Sequence, residues 1–145
     1  MILQCLYIFG TSVGFCIIFN IRGKNVLIGS LGSVLGWIIY LMFSGLGATD
    51  VIQYFLAAFF ITIYSEIMAI LRKAPATIFL TPSIMPLVPG VAAFRTMMAW
   101  LDSDNLEILI QGNYALMVSG AIAMGIILGL TLVKITRVWK KVKTT

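Results

Sequence analysis

The sequence predicts an all-α integral membrane protein: a bundle of five transmembrane helices in a single domain over residues 1–145, with the fourth helix broken by prolines. Of the 145 residues, 61% are hydrophobic and 10% are charged, whereas a soluble domain carries about 25% charged residues. Five apolar segments are each long enough to cross a bilayer core, which needs about 20 helical residues. All four prolines lie between Pro75 and Pro89, in or immediately before the fourth segment.

The predicted helices follow the apolar segments in chain order. They cover residues 2–19, 26–46, 51–71, 76–100 and 113–133. A basic tail is predicted over residues 134–145. The first segment has no basic stretch before it and no small-residue cleavage signal after it. We therefore expect it to be a retained helix and not a signal peptide.

Charged residues alternate between the two ends of the predicted helices. Basic residues occupy the first loop, the third loop and the tail: Arg22, Lys24, Arg72, Lys73, Lys134, Arg137, Lys140, Lys141 and Lys143. Acidic residues occupy the second and fourth loops: Asp50, Asp102, Asp104 and Glu107. The positive-inside rule then predicts a multi-pass protein of the inner (plasma) membrane, with the N-terminus outside and the C-terminus cytoplasmic.

The same charge pattern decides between two paths for the fourth segment. A re-entrant segment would place the basic tail outside, so the pattern favours a broken crossing. The net charge of +5 lies in short loops and the tail. It therefore reflects membrane orientation, and we expect the lipid bilayer and no nucleic acid as a partner.

The proline-broken segment is the first candidate for a functional site. A proline inside a helix removes a hydrogen bond and clashes with the carbonyl four residues earlier. In a bilayer, broken backbone survives only where it is buried in protein or lines a cavity, and secondary transporters build their sites there. The candidate residues are Pro75, Thr77, Thr81, Pro82, Pro86, Pro89 and Gly90. For Thr77, Thr81 and Ser83 we favour hydrogen bonding to freed backbone groups over substrate contact.

Glu66 lies inside the third predicted helix, on one helical stripe with Thr62 and Lys73. Ionisable groups in membrane helices are costly, face the bundle interior and mark pathways or proton relays. Two interpretations remain open. Glu66 pairs structurally with Lys73 or Arg72, or it carries a proton or binds a substrate ammonium group.

Arg95 follows Gly90 by slightly more than one helical turn. If helix resumes near Gly90, its free amides and positive dipole end would form a carboxylate site together with Arg95. The alternative is an arginine whose charged group reaches toward the interface near Trp100.

Small residues recur at four-residue spacing in three of the predicted helices. They are Gly10, Gly14, Gly32, Gly36, Ala121, Gly125 and Gly129. Such spacing lets membrane helices approach closely. The contacts lie either within this chain's own bundle or against a second subunit, which includes a homo-oligomer.

Several function classes are disfavoured by composition. Histidine is absent, and the two cysteines, Cys5 and Cys16, fall in the first segment, where we expect small buried thiols. No cofactor, metal site or enzymatic activity is expected, because a nucleophile–base pair or metal set is missing. All three aspartates lie in predicted loops, which excludes an intramembrane aspartate dyad.

The run RKAPATIF at residues 72–79, followed by PSIMPLVPG at 82–90, resembles the threonine/serine exporter family, and in particular the short membrane-only component of split exporters. The resemblance implies export of small hydrophilic metabolites driven by the proton motive force. Threonine and serine are the family's substrates, and split members are also associated with dicarboxylates such as succinate. It also implies a larger partner subunit with a soluble region and further membrane helices.

Two alternatives to an exporting subunit remain. A subunit that only stabilises its partner would have the same composition. A holin-like pore-forming protein is also small, apolar and basic at its end, but it needs neither a broken helix nor a buried Glu66 and Arg95.

Overall fold

A computed structural model describes the backbone of residues 2–142 and the side chains of residues 2–136, and all of the regular structure in that part of the chain is helical. The elements in chain order are α1 (Ile2–Ile18), α2 (Lys24–Gly45), α3 (Asp50–Arg72), α4 (Thr77–Ile84), a 3-10 turn (Met85–Leu87), α5 (Gly90–Leu101) and α6 (Asn105–Val142). The prediction of an all-α protein is confirmed.

Three of the described helices are long and apolar enough to cross a membrane: α2, α3 and α6, the last considered as far as Thr136. Together, α4 and α5 count as a fourth span if they form one broken crossing, and the two halves differ in direction by 53°. The α1 helix is apolar but has only 17 residues. The structure thus shows three to four candidate spans, and a fifth stays a prediction.

The predicted bounds of the fifth helix are wrong at both ends. Helix α6 begins at Asn105 instead of residue 113 and continues through residues 134–142, where a tail was expected. Its early start has a local cause, because the Asp104 carboxylate accepts hydrogen bonds from the amides of Leu106 and Glu107, both at 3.1 Å. This cap satisfies amides that a helix start leaves free. Glu107 is therefore helical and does not lie in a loop.

Helix α3 ends at Arg72, and the next residue leaves the helix. Lys73 adopts a left-handed conformation with φ 51°, and the Ala74 amide donates to the Ala69 carbonyl at 3.1 Å. Such a turn closes the end of a helix. The prediction that Lys73 continues the stripe of Thr62 and Glu66 is therefore wrong.

Helices α3 and α6 form the most extensive helix pair and run parallel. The Tyr114 hydroxyl donates to the Asp50 carboxylate at 3.1 Å, and further along both helices Gly129 faces Thr62. Tyr114, nine residues into α6, is therefore level with the start of α3, and α6 begins at the end of the bundle opposite Arg72. Because α4, the 3-10 turn and α5 connect these two ends, together they run the length of the bundle.

Glycines make these close helix contacts possible. A Cβ added at Gly125 would lie 2.6 Å from the Phe55 carbonyl oxygen, and one at Gly129 would lie 2.9 Å from Thr62 Cβ. On α2, a Cβ at Gly32 would collide with Ser83 and one at Gly36 with Ile61. These glycines pack within this chain's own bundle, so for them the first of the two interpretations is confirmed.

The glycines of α1 behave differently. A Cβ added at Gly10 or Gly14 would meet nothing within 4 Å among the described residues. A contact between this face and a second subunit remains a prediction. On the same helix Cys16 is buried, as predicted, whereas Cys5 is only half-buried, and both are free thiols.

Candidate functional site

The interruption between α4 and α5 lies halfway along the bundle. A Cβ at Gly36 on α2 would lie 3.5 Å from the side chain of Leu87, the last residue of the 3-10 turn, and would also collide with Ile61. Ile61 is the middle residue of α3. Interrupted helices at mid-depth are where secondary transporters bind substrates and ions.

Serines from two neighbouring helices satisfy the Pro82 carbonyl, which Pro86 leaves without an amide donor four residues later. The Oγ atoms of Ser12 and Ser33 lie 3.0 and 3.1 Å from the Pro82 carbonyl oxygen and 2.7 Å from each other. The Ser83 Oγ lies 2.8 Å from the Gly29 carbonyl oxygen and 2.6 Å from that of Phe79. Ser83 therefore bonds backbone carbonyls, but neither of them is a carbonyl that a proline leaves without its amide donor.

A cavity of about 580 Å³ opens on the side of the interruption that leads toward Asp50. Four residues predicted for the site line it: Pro86, Pro89, Gly90 and Arg95. Arg95 is the one charged side chain among the described lining residues. The cavity therefore combines an apolar wall with a single positive charge.

Helix resumes at Gly90, as predicted. The Gly90 amide donates to the Val88 carbonyl at 2.7 Å, and the first bond of the new helix runs from the Ala93 amide to the Pro89 carbonyl at 3.1 Å. The amides of Val91 and Ala92 precede that bond, and both residues line the cavity. They are the amides that a helix start offers to an anion.

Three aromatic residues form part of the cavity wall: Trp37, Tyr54 and Tyr114. Trp37 stacks on Tyr40 with ring centroids 5.0 Å apart, and Tyr40 contacts Tyr54 at 4.9 Å. The Tyr114 hydroxyl is held by Asp50. These contacts between α2, α3 and α6 fix the positions of the rings.

These three aromatic residues were not among the predicted site residues. The available signal was the occurrence of Tyr54 and Tyr114 near helix ends beside the acidic loops, with Trp37 about two turns before such an end. That pattern is also typical of side chains at a membrane interface, so by itself it does not point to a site.

Arg95 also borders a second, smaller cavity of about 240 Å³, together with Asp102, Asp104 and Glu107. The Gln111 amide, which lines the first cavity, donates to the Glu107 carboxylate at 2.9 Å. The two cavities are thus adjacent, and Arg95 lies in the wall of both. The exposed guanidinium group stands between the larger cavity and an acidic rim.

Glu66 is not part of either cavity lining. It is buried, with 8% of its surface exposed, and it shares with Thr62 the face of α3 that packs on α6. Twelve residues separate it from Tyr54, which corresponds to about 18 Å along a helix. The neighbouring Ser65 hydroxyl is also buried and has no hydrogen-bond partner among the described residues.

The remaining predicted site residues also lie outside the two cavities. Arg72, Lys73, Pro75 and Thr77 are exposed around the α3–α4 turn, Thr81 is half-buried, and Pro82 is buried against Gly29. The structure therefore brings Arg95 together with the second half of the proline motif and not with Glu66 or the first half.

A helical bundle with apolar spans and a cavity at an interrupted helix is the architecture of helical membrane transport proteins. The family model described as "Threonine/Serine exporter, ThrE" matches residues 4–132. The chain belongs to the threonine/serine exporter family.

A curated relative is the "Probable threonine/serine exporter" of Mycobacterium tuberculosis (strain ATCC 25618 / H37Rv). The two sequences are 33% identical over 93 residues, which cover 61% of this chain and 18% of that protein. The chain thus spans less than a fifth of the length of this relative. No solved structure matches the chain.

Proposed function

We propose that this chain is the membrane subunit of a secondary exporter that moves small hydrophilic metabolites, foremost threonine and serine, out of the cell. The observation that carries the proposal is Arg95, which lines a mid-bundle cavity where the proline-broken helix resumes. Membership of the exporter family supports the direction and the substrate. The name of the M. tuberculosis relative, a probable threonine/serine exporter, supports it as well.

In this proposal the substrate carboxylate binds Arg95 and the amides of Val91 and Ala92. A charge-assisted contact with a guanidinium group is stronger than a neutral one. The substrate ammonium group faces Trp37, Tyr54 and Tyr114, because aromatic faces attract cations. The cavity thus offers one contact for each charge of a zwitterion.

The same chemistry favours an amino acid over a dicarboxylate such as succinate. Arg95 is the one charged residue of the described lining, so the second carboxylate of a dianion would have no cation to pair with. Removing an unpaired charge from water is expensive. Succinate remains the second candidate substrate, on the resemblance to split exporters.

The membrane topology in the proposal has five crossings of the inner membrane, with the N-terminus outside and the C-terminus cytoplasmic. The parallel arrangement of α3 and α6 supports a broken crossing by α4 and α5, since these helices connect opposite ends of the bundle. The basic end of α3 and the basic residues late in α6 then lie on one side, as the positive-inside rule requires.

We assign proton coupling to Glu66. The buried carboxylate would be protonated in one state of the transporter and charged in the other, so that inward proton flow drives outward substrate movement. Because Glu66 lies outside the cavity that contains Arg95, the coupling would pass through a change in helix packing and not through direct contact with the substrate. Helix α3 provides the connection, since it carries both Glu66 and Tyr54.

A larger subunit with a soluble region and further membrane helices would complete the transporter. The support is that the matched part of the M. tuberculosis relative makes up only 18% of its length. A role limited to stabilising that partner is the alternative to transport by this chain's own cavity.

The test is efflux of threonine and succinate from preloaded cells that express the chain with its proposed larger subunit, or alone. Arg95→Gln is compared with Arg22→Gln, which removes the same charge from a loop where Arg22 bonds Asn20. We expect threonine efflux with both subunits, a loss of at least tenfold in Arg95→Gln, and near-normal efflux in Arg22→Gln. Equal efflux in all three proteins would exclude the cavity and leave the stabilising role.

Proton coupling is tested separately with Glu66→Gln and the carboxylate-retaining Glu66→Asp. We expect Glu66→Gln to assemble normally but to lose the dependence of efflux on the pH gradient, while Glu66→Asp keeps part of it. Unchanged dependence in Glu66→Gln would remove Glu66 from the mechanism.

A further inference from the structure

The proline pair Pro82 and Pro86 creates a backbone acceptor that its own helix cannot serve. In an α-helix each carbonyl accepts a bond from the amide four residues later. Residue 86 is a proline and has no amide hydrogen, so the Pro82 carbonyl has no donor from its own segment. A buried carbonyl without a partner is costly, and the surrounding protein must supply one.

Two serines from different helices supply the donor. Ser12 of α1 and Ser33 of α2 are both fully buried, and their Oγ atoms lie 3.0 and 3.1 Å from the Pro82 carbonyl oxygen. Each hydroxyl has one proton, and the two oxygens are 2.7 Å apart. One hydroxyl therefore donates to the Pro82 carbonyl, and the other donates either to the same carbonyl oxygen or to the Oγ atom of the first serine.

This contact lies immediately before the part of the chain that forms the cavity. The 3-10 turn begins three residues after Pro82, and Pro86, Pro89 and Gly90 line the cavity. Helix α5 packs mainly on α6. The direction in which the chain leaves α4 is therefore set on the side of α1 and α2, where the serines hold it.

We propose that Ser12 and Ser33 are positioning residues for transport. By holding the Pro82 carbonyl they fix the 3-10 turn, and with it the amides of Val91 and Ala92 and the depth of Arg95 in the cavity. The anchoring follows from the contacts alone. The step from anchoring to substrate binding rests on the proposed function.

Amide hydrogen exchange of the whole chain in lipid nanodiscs tests the anchoring without any transport assay. The variants are Ser12→Ala, Ser33→Ala and the double substitution, with Ser33→Thr to restore a hydroxyl. The matched control is Ser30→Ala. Ser30 lies on α2, as Ser33 does, and is also fully buried. It is a suitable control because its hydroxyl bonds the Val26 carbonyl of its own helix, at 2.9 Å, and not the Pro82 carbonyl. Each single alanine variant keeps one donor, so folding is preserved in at least part of the series.

Within residues 87–93 the amides of Val88, Gly90 and Ala93 are hydrogen-bonded, and we expect their exchange to accelerate at least tenfold in the double variant and less in each single variant. Exchange in α3 and α6 should stay unchanged, Ser33→Thr should restore the slow rate, and Ser30→Ala should have no effect. Acceleration throughout all helices would show general destabilisation and overturn the inference. Unchanged exchange at residues 87–93 would overturn it as well.

A reciprocal variant sharpens the test. Pro86→Ala gives residue 86 an amide hydrogen that can reach the Pro82 carbonyl. In that background the serine substitutions should no longer accelerate exchange at residues 87–93. A persistent acceleration would mean that the serines act through some other contact.

The consequence for transport is measured in inside-out vesicles that contain the complete exporter. We expect Ser33→Ala to raise the KM for threonine several-fold with a smaller change in Vmax, and Ser30→Ala to change neither. An unchanged KM beside accelerated exchange would overturn the positioning role but leave the anchoring and the proposed function standing. Absence of threonine transport in the wild-type complex would count against the proposed function, while the exchange result still decides the anchoring.

Discussion

The two halves of the interrupted helix differ in how they are held. In α4, Phe79 and Ser83 have no exposed surface, and the helix packs against α1, α2 and α3. In α5, Phe94 is 62% exposed and Trp100 is 75% exposed, and the helix packs mainly on α6. The half before the break is part of the core, and the half after it forms one wall of the cavity.

Both halves are apolar, so composition does not explain the difference. Its cause is the row of glycines on α2: Gly29 lies under Pro82, and Gly32 lies against Ser83. These glycines let α4 approach closely, and close packing is what holds helices together in lipid. The comparison indicates that an interrupted helix combines a fixed segment with one left accessible for a ligand.

The largest predicted effect removes the space that α4 occupies. A side chain at Gly32 would collide with Ser83 and Tyr64, so Gly32→Val should displace α4 and destabilise the protein by about 3 kcal/mol. Gly120→Val is the control, because a Cβ added at Gly120 would have no described atom within 4 Å. For both variants, the yield of monodisperse protein and the thermal unfolding temperature in detergent are measured. Equal behaviour of the two variants would contradict the packing of α2 on α4.

Two phenylalanines compare the halves directly. Phe79→Ala in α4 should cost about 3 kcal/mol because it leaves a void in the core. Phe94→Ala in α5 should change stability by less than about 0.5 kcal/mol, since that side chain is mostly exposed. Denaturant titration followed by circular dichroism gives both values. Similar losses for the two variants would mean that α5 is as firmly packed as α4.

Two hydroxyls give a smaller contrast. The Ser83 hydroxyl reaches the Gly29 carbonyl on α2, so Ser83→Ala should cost about 1 kcal/mol. The Thr96 hydroxyl bonds the Ala92 carbonyl of its own helix at 2.8 Å, so Thr96→Val should be near neutral. The same titration measures both, and a greater loss in Thr96→Val would reverse the comparison.

The smallest effect is expected on α1. Gly14→Ala should leave the stability of the isolated chain within about 0.5 kcal/mol, because nothing described lies within 4 Å of the added Cβ. If this face contacts a second subunit, the same substitution should weaken assembly, which analytical ultracentrifugation of the complex detects. Loss of stability in the isolated chain would show that the face is already packed.

The candidate site residues show which features could not be predicted from the sequence. Arg95 and Gly90 were predicted to share a site, and the structure places both in the lining of one cavity, because they are close in sequence on one helix. Glu66 was also predicted as a site residue, because it is ionisable and lies in an apolar segment. It shares the face of α3 that packs on α6 and does not line the cavity. Helical periodicity shows which residues share a face, and it does not show which helix that face meets.

The helical class, the bounds of the three helices before the motif to within two residues, and the break at the prolines could be predicted from the sequence, and a helix restart near Gly90 could be considered. These features depend on local chemistry: apolar run length, the missing amide of proline and the conformational freedom of glycine. Three features are seen only in the folded chain: α3 and α6 run parallel, Ser12 and Ser33 meet at the Pro82 carbonyl, and an aromatic wall lines the same cavity as Arg95. Each of these depends on how the surfaces of helices distant in sequence fit together.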